Sequence, residues 1–489
     1  MRKILSALLF MLLLGAVTAQ AAGPQETDRF VIQFKKEKVA AAAARSLVEA
    51  HGGTLYRDLS DLGMVIAQST DAGFAAAVAA DSSVHAVRRE RLIEAGGRDP
   101  YATSDIPEAA WAGSVGAPPA AFDNPMAATV AATATVTAQD LLNAPFFRFG
   151  FQWDLTKIQA DQAWLAGGLG DPAVKVAIVS SGIDYTHPEL AGKVDLDLSV
   201  SFVPSDDILV QQLFPGAHPV ADLGIHGTYV ASLIACNAFG QACGAANVTL
   251  IGVKVLNFAE TGTIGDLASG VRYAASVGAD IIVLPDDFGI AYLSDPDGRN
   301  DILTLRRAVN YAWSRGSLVL GATWTPFGEL GLNADGDGDR KLLPSQAGTM
   351  AVGATGTQDQ WSGISSYGHS LIEVAGPGGQ VDLDTRQPPP GVFIFSVGVC
   401  SSFTQEPRFG LPAVCNKQSG PQYIFSFGVR PAVAHAASVA ALIESRWGGS
   451  KKGSFVRARL RNTADDILDP GVDAVSGHGR VNALRGHTE

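Results

Sequence analysis

His226, at the head of His226-Gly-Thr-Tyr-Val-Ala231, is a candidate general base. A histidine activates a serine hydroxyl only when a buried carboxylate holds the imidazole in the right tautomer. A preorganised donor must also meet the developing oxyanion. Ser180 and Ser181 follow the apolar run Val176–Val179, and Asp286 and Asp287 follow Ile281–Leu284. Ser180 or Ser181 could act as a nucleophile near His226, but the plainer reading is a strand-end serine satisfying local backbone. Asp184 and His187 read as turn residues that bond locally, and His435 as a buried histidine. Arg430 precedes Pro431, a favoured first residue of a helix, which sets its cation at the positive end of the macrodipole. A cation there is disfavoured by about 0.3–1 kcal/mol in exposed cases, so an anion is expected beside it. Asp286 or Asp287 is the expected partner, ahead of an outside anion or a peptide carboxylate.

Two further groups could bind or staple. Asn333-Ala-Asp335-Gly-Asp337-Gly-Asp339 sets oxygen ligands at every second residue with glycines between, as calcium loops do. Pro344 stands where an EF-hand loop has its bidentate glutamate, so a solvated acidic loop is the favoured reading and Asp335, Asp337 and Asp339 a weak calcium site. No cofactor is required. The four cysteines are an even number and suit disulfides in an exported chain. The sequence-local pairing, Cys236 with Cys243 and Cys400 with Cys415, is one of three.

These residues need elements to hold them. From about Phe146, short apolar strands alternate with helices: Lys175–Ser180, His226–Cys236, Val248–Leu256, Ile264–Ser276, Ile281–Leu284, Asp301–Arg315, Leu318–Ala322 and Pro431–Arg446. That alternation predicts an α/β fold, a mostly parallel sheet with helices on both faces, with its site at the carboxyl ends of the strands. Ahead of it, Arg29 to Arg89 reads as βαββαβ, the split arrangement of small ferredoxin-like domains. Between the two, Gly96 to Ala144 reads as a linker, with room for a lone helix in its Ala/Thr part.

Arg2-Lys3, the apolar Ile4–Val17 and Ala19-Gln20-Ala21 have the form of a secretory signal. The expected domains are therefore a signal at 1–21, a small domain at 25–93, a linker at 94–145 and a main domain at 146–487. No later stretch is long and apolar enough to span a membrane, so a secreted or periplasmic mature chain is expected. A net charge of −12 argues against nucleic acid, whose binding needs a basic surface.

Several strand ends resemble the subtilisin family of serine proteases, in order, over nearly all of the last ~340 residues. Val176-Ala-Ile-Val-Ser-Ser-Gly-Ile-Asp184 with Tyr-Thr-His-Pro-Glu-Leu190 resembles the first motif, and His226–Ala231, continued by Gly240–Leu256, the second. Asn310–Ala322 resembles the strand before the oxyanion residue. Tyr367-Gly368 with Val374-Ala-Gly-Pro-Gly378 matches a later region, Gly428–Leu442 falls where the nucleophile helix belongs, and Ser476–Ala483 resembles the closing signature. The front unit resembles the family's propeptide, a folding helper and inhibitor.

The resemblance assigns the carboxylate position to Ser180, the base to His226, the nucleophile to Arg430 and the oxyanion asparagine to about Thr325. Three of these four are changed. Arginine cannot attack a carbonyl, because its guanidinium stays protonated and its lone pairs are delocalised. Loss of the nucleophile alone costs a subtilisin roughly 10⁶-fold. Without a triad carboxylate, His226 itself reads as structural. The expectation is a pseudoprotease with a binding or regulatory role, whose partners are its own propeptide and a protein or peptide ligand. The alternative is a serine-type endopeptidase with a rearranged or misaligned site.

Overall fold

In Arg29-Phe-Val-Ile-Gln-Phe34, Phe30, Ile32 and Phe34 fall on one face and Val31 and Gln33 on the other. All five are buried. The computed structural model describes residues 26–94, 135–286, 288–323, 330–386, 388–397, 423–448 and 452–489. In it this segment is β1 (Glu26–Phe34). It is followed by α1 (Ala41–Ala50), β2 (Thr54–Leu59), β3 (Met64–Gln68), α2 (Phe74–Ala79) and β4 (Val84–Glu94). The sheet order is β2-β3-β1-β4, antiparallel throughout. Phe30, Ile32 and Phe34 pack on Val48, Phe74 and Val78 beneath the two helices. The opposite face carries Val31, Met64 and Ile66 into a second core, shared with the rest of the chain.

β4 runs five residues beyond Arg89, where the sequence pattern ends. The stretch Arg88–Arg91 looks too charged for a strand that is buried on one side. Glu90 is buried nonetheless, because Arg29 Nε reaches its Oε2 at 2.9 Å.

The chain joins the main core before residue 146. Thr137 caps α3 (Ala138–Asn143) in a reciprocal capping box with Asp140, and Leu141 is fully buried. β5 (Lys175–Ser180) and β6 (Val200–Ser201) follow. Then come α4 (Pro204–Leu213), α5 (His226–Ile234), β7 (Thr249–Lys254), β8 (Thr261–Thr263) and α6 (Ile264–Ser276). After β9 (Ile281–Leu284) and β10 (Ile290–Tyr292) lies the long α7 (Pro296–Arg315). β11 (Leu318–Ala322), β12 (Arg340–Leu342), β13 (Met350–Thr355) and β14 (Val374–Pro377) complete the strands up to a hairpin of β15 (Ile394–Val397) and β16 (Tyr423–Ser426). The hairpin leads into α8 (Val429–Trp447), buried from Val429 to Glu444.

Seven strands form the central sheet in the order β14-β13-β11-β9-β5-β7-β6, every pair parallel. A sheet covered on both faces needs strands apolar on both sides, and β5, β9 and β11 are so composed. Alternate residues of β5 divide between the two cores: Val176 and Ile178 join the one that holds α5 and α8, while Ala177 and Val179 join the one that holds α6 and α7. This is the α/β architecture expected from the sequence. Cys236 and Cys243 are disulfide-bonded just past α5. Cys400 and Cys415, like the signal-like segment and most of the linker, lie outside the described residues.

Candidate functional site

β5 and β9 are parallel neighbours, so Ser180 at the end of one stands beside Asp286, two residues past the end of the other. The Ser180 hydroxyl donates to Asp286 Oδ2 at 2.5 Å, and both side chains are fully buried. α8 brings the third member. Gly428 caps it with φ 130°, a conformation glycine tolerates, and Val429 begins the helix. Arg430 is thus the second helical residue rather than the one before the first. Its Nε donates to Asp286 Oδ1 at 2.9 Å, so the anion expected at this helix end is Asp286. Asp287 and Thr325 lie outside the described residues.

His226 opens α5, which approaches the turn after β5 very closely. A Cβ on Gly227 would lie 1.9 Å from the Gly182 carbonyl oxygen, so only glycine fits there. The Gly227 N–H donates to Ser181 Oγ at 3.1 Å. His226 Nδ1 lies 2.9 Å from Glu260 Oε2 and 3.3 Å from Asp286 Oδ1. Neither serine bonds to His226 among the described contacts; Ser180 is turned to a carboxylate and Ser181 to backbone.

The charges set one another. Burial would raise the Asp286 carboxyl, but His226, Arg430 and the Ser180 hydroxyl hold it down to about 2. Burial and the Arg430 charge oppose protonation of His226, yet Glu260 and Asp286 outweigh them and push it up to about 9. Burial also pushes Glu260 up, with His226 opposing and Asp286 and Asp222 reinforcing. At neutral pH Arg430 and His226 are both cationic beside the ionised Asp286. An imidazolium has no lone pair with which to take a proton.

Glu260 is the residue that the sequence reading missed. It stands in a left-handed turn, φ 57°, directly before β8, and no spacing rule ties it to His226. The other candidates do local work. The Asp184 carboxylate accepts from the Thr186 N–H and hydroxyl, and His187 Nδ1 accepts from the Glu189 N–H. His435 Nε2 lies 3.1 Å from Asp154 in the core, both side chains fully buried. The acidic loop does not converge on a point. Asp335 accepts from the His369 and Ser370 N–H groups, Asp337 from the Asp339 and Arg340 N–H groups, and Asp339 from Ser294.

The N-terminal unit borders this centre. The end of β4 pairs antiparallel with β8, Leu92 opposite Thr263 and Glu94 opposite Thr261, next to Glu260. Arg29 and Arg57 both reach Asp266 in the first turn of α6, at 3.2 and 2.9 Å. Arg272 forks onto Asp61, and Gln33 bonds Thr304 at 2.7 Å. A Cβ on Gly265 would lie 1.9 Å from Glu90 Oε1, so α6 presents a notch to that carboxyl. Burial pushes Glu90 up to about 7 although Arg29 opposes it.

Residues 171–479 match the family model described as the subtilase family, Peptidase_S8. Thermitase of Thermoactinomyces vulgaris is 32% identical over 70% of this chain and 98% of its own length. The chain belongs to the subtilase family. A second relative, a thermophilic serine proteinase of Bacillus sp. (strain AK1), is 28% identical over 69% of this chain and 67% of its own. Among solved structures, the epidermin leader peptide processing serine protease of Staphylococcus aureus has the same fold. It superposes with a TM-score of 0.66 at 18% identity, covering 94% of this chain and 98% of that one. No described helix of this subtilase is long and apolar enough to cross a membrane.

Proposed function

We propose that this subtilase is an exported pseudoprotease, a protein that keeps the family's cleft and uses it for binding or regulation rather than hydrolysis. The observation that carries this reading is the Arg430–Asp286 ion pair. The residue at the nucleophile position, as the family motifs assign it, has no nucleophilic oxygen, and its guanidinium is held on a buried carboxylate. The imidazolium state of His226 supports the same reading, because a base must be neutral to accept a proton. Ser180, Arg430 and His226 are all gathered on Asp286.

The N-terminal unit acts here as a propeptide that stays. A subtilase lacking its nucleophile has no means to cut its own chain, and the tether keeps the unit at high effective concentration over β8. The regulatory event is then displacement of the β4 end from β8 by a protein or peptide ligand, since main-chain pairing along a strand edge is open to any extended segment. The test is hydrolysis of casein by the purified protein, which is expected to match a buffer blank. Robust cleavage that disappears in His226→Ala, with a contaminant control unchanged, would return the chain to the working endopeptidases.

A further inference from the structure

Asp286, Glu260 and His226 come from three different connections, after β9, before β8 and at the start of α5, yet their ligand atoms lie within 4.8 Å of one another. His226 is 8% exposed. Its Nδ1 stands 2.9 and 3.3 Å from the two carboxylate oxygens, but neither contact has the geometry of a hydrogen bond. Glu260 Oε2 likewise has no hydrogen-bond partner. The two buried atoms meet through charge alone beside a third oxygen, an arrangement that a bound cation would also satisfy.

We propose that His226 Nδ1, Glu260 and Asp286 form a binding site for a divalent transition-metal cation of the zinc class. One imidazole and two carboxylates are a donor set such ions accept. The ligand atoms of a four-coordinate zinc with bonds of roughly 2.0–2.1 Å lie about 3.3 Å apart, close to the separations seen here.

Arg430 and Ser180 belong to the site without touching the cation. Asp286 Oδ1 has a lone pair for Arg430 and another for the metal, and Oδ2 takes the Ser180 hydroxyl, so the carboxylate is held in place from behind. Side-chain exposures of 16% for Glu260 and 10% for His226 leave both ligands in partial contact with solvent. The fourth position falls to water.

The test is calorimetric titration of the tag-free, chelator-stripped full chain with Zn²⁺, with Co²⁺ absorption as an optical readout. One saturable equivalent is expected, together with the visible band of a four-coordinate cobalt. Glu260→Gln and His226→Gln should each weaken binding at least about tenfold while circular dichroism is unchanged. Asp335→Asn, in the acidic loop, should leave it intact. No saturable uptake, or uptake undiminished in both site variants, or uptake lost only in Asp335→Asn, overturns the proposal. Binding is read without any activity. Casein cleavage appearing on zinc addition would therefore refute the pseudoprotease reading and leave this site standing.

Discussion

Replacing Arg430 by methionine tests whether the blocked centre is held together by charge. The change keeps a long side chain in α8 and removes the guanidinium from Asp286, a pair with side-chain exposures of 9% and 0%. Removing one partner of a buried pair costs about 3–5 kcal/mol, because the other charge stays buried and uncompensated. Asp286 still keeps the Ser180 hydroxyl at 2.5 Å and His226 at 3.3 Å, which places the cost at the lower end, about 3 kcal/mol. Losing an unfavourable cation from a helix N-terminus returns only about 0.3–1 kcal/mol of that. Asp286→Asn should cost a similar amount, since it leaves two cations facing an amide. The double variant removes the interaction once rather than twice, so it should be about 2 kcal/mol more stable than the sum of the singles. Denaturant unfolding followed by tryptophan fluorescence measures all four proteins at constant m-value. Single variants within about 0.5 kcal/mol of the parent, the range of ordinary surface changes, would refute the reasoning, as would a coupling energy near zero.

Restoring a triad on paper with Ser180→Asp and Arg430→Ser should fail. The new carboxylate would replace a hydroxyl that donates to fully buried Asp286 at 2.5 Å, and the cation that compensates Asp286 would be gone. Casein cleavage is expected, weakly, only when Asp286 is also neutralised, and should rise when Thr325→Asn supplies an oxyanion donor. Intact mass of protein from a protease-deficient host should correspond to a start near Ala22. A mature N-terminus between Gly96 and Phe149, independent of concentration and abolished by His226→Ala, would mean self-cleavage. Docking of the N-terminal unit should weaken as pH rises. Docked Glu90 holds its proton up to about pH 7 against an ordinary 4.5, so its contribution is full below 4.5 and lost on approaching 7, by at most about 3 kcal/mol. Glu90→Gln should flatten that profile in hydrogen exchange of β4 and β8, and an unchanged profile would place the titration elsewhere.

The fold was readable because its signals are local and repeated. Strands apolar on both faces alternate with amphipathic helices, and Lys175–Ser180, Ile264–Ser276, Ile281–Leu284 and Leu318–Ala322 begin and end where the pattern does. β4 was cut short in the sequence reading because a strand bearing Arg88, Arg89, Glu90 and Arg91 looks solvated until Arg29 is known to meet Glu90 from a segment sixty residues away. The start of α8 was misplaced because Pro431 is a strong first-turn signal and the glycine that turns the chain stands three residues earlier. Asp286 could be anticipated, since a cation at a helix N-terminus asks for an anion and this carboxylate follows a neighbouring strand. Glu260 could not, because its meeting with His226 depends on the tertiary course of the turn before β8.

The central claim is that no serine among the described residues has a base to make it a nucleophile. Incubation with a serine-directed phosphonate probe, followed by mass-spectrometric mapping, tests it directly. The account predicts no labelled residue in the native protein, Ser180 and Ser181 included, with or without added zinc. A phosphonate adduct on either of them, formed in the native protein, absent after denaturation and lost in His226→Ala, would contradict it.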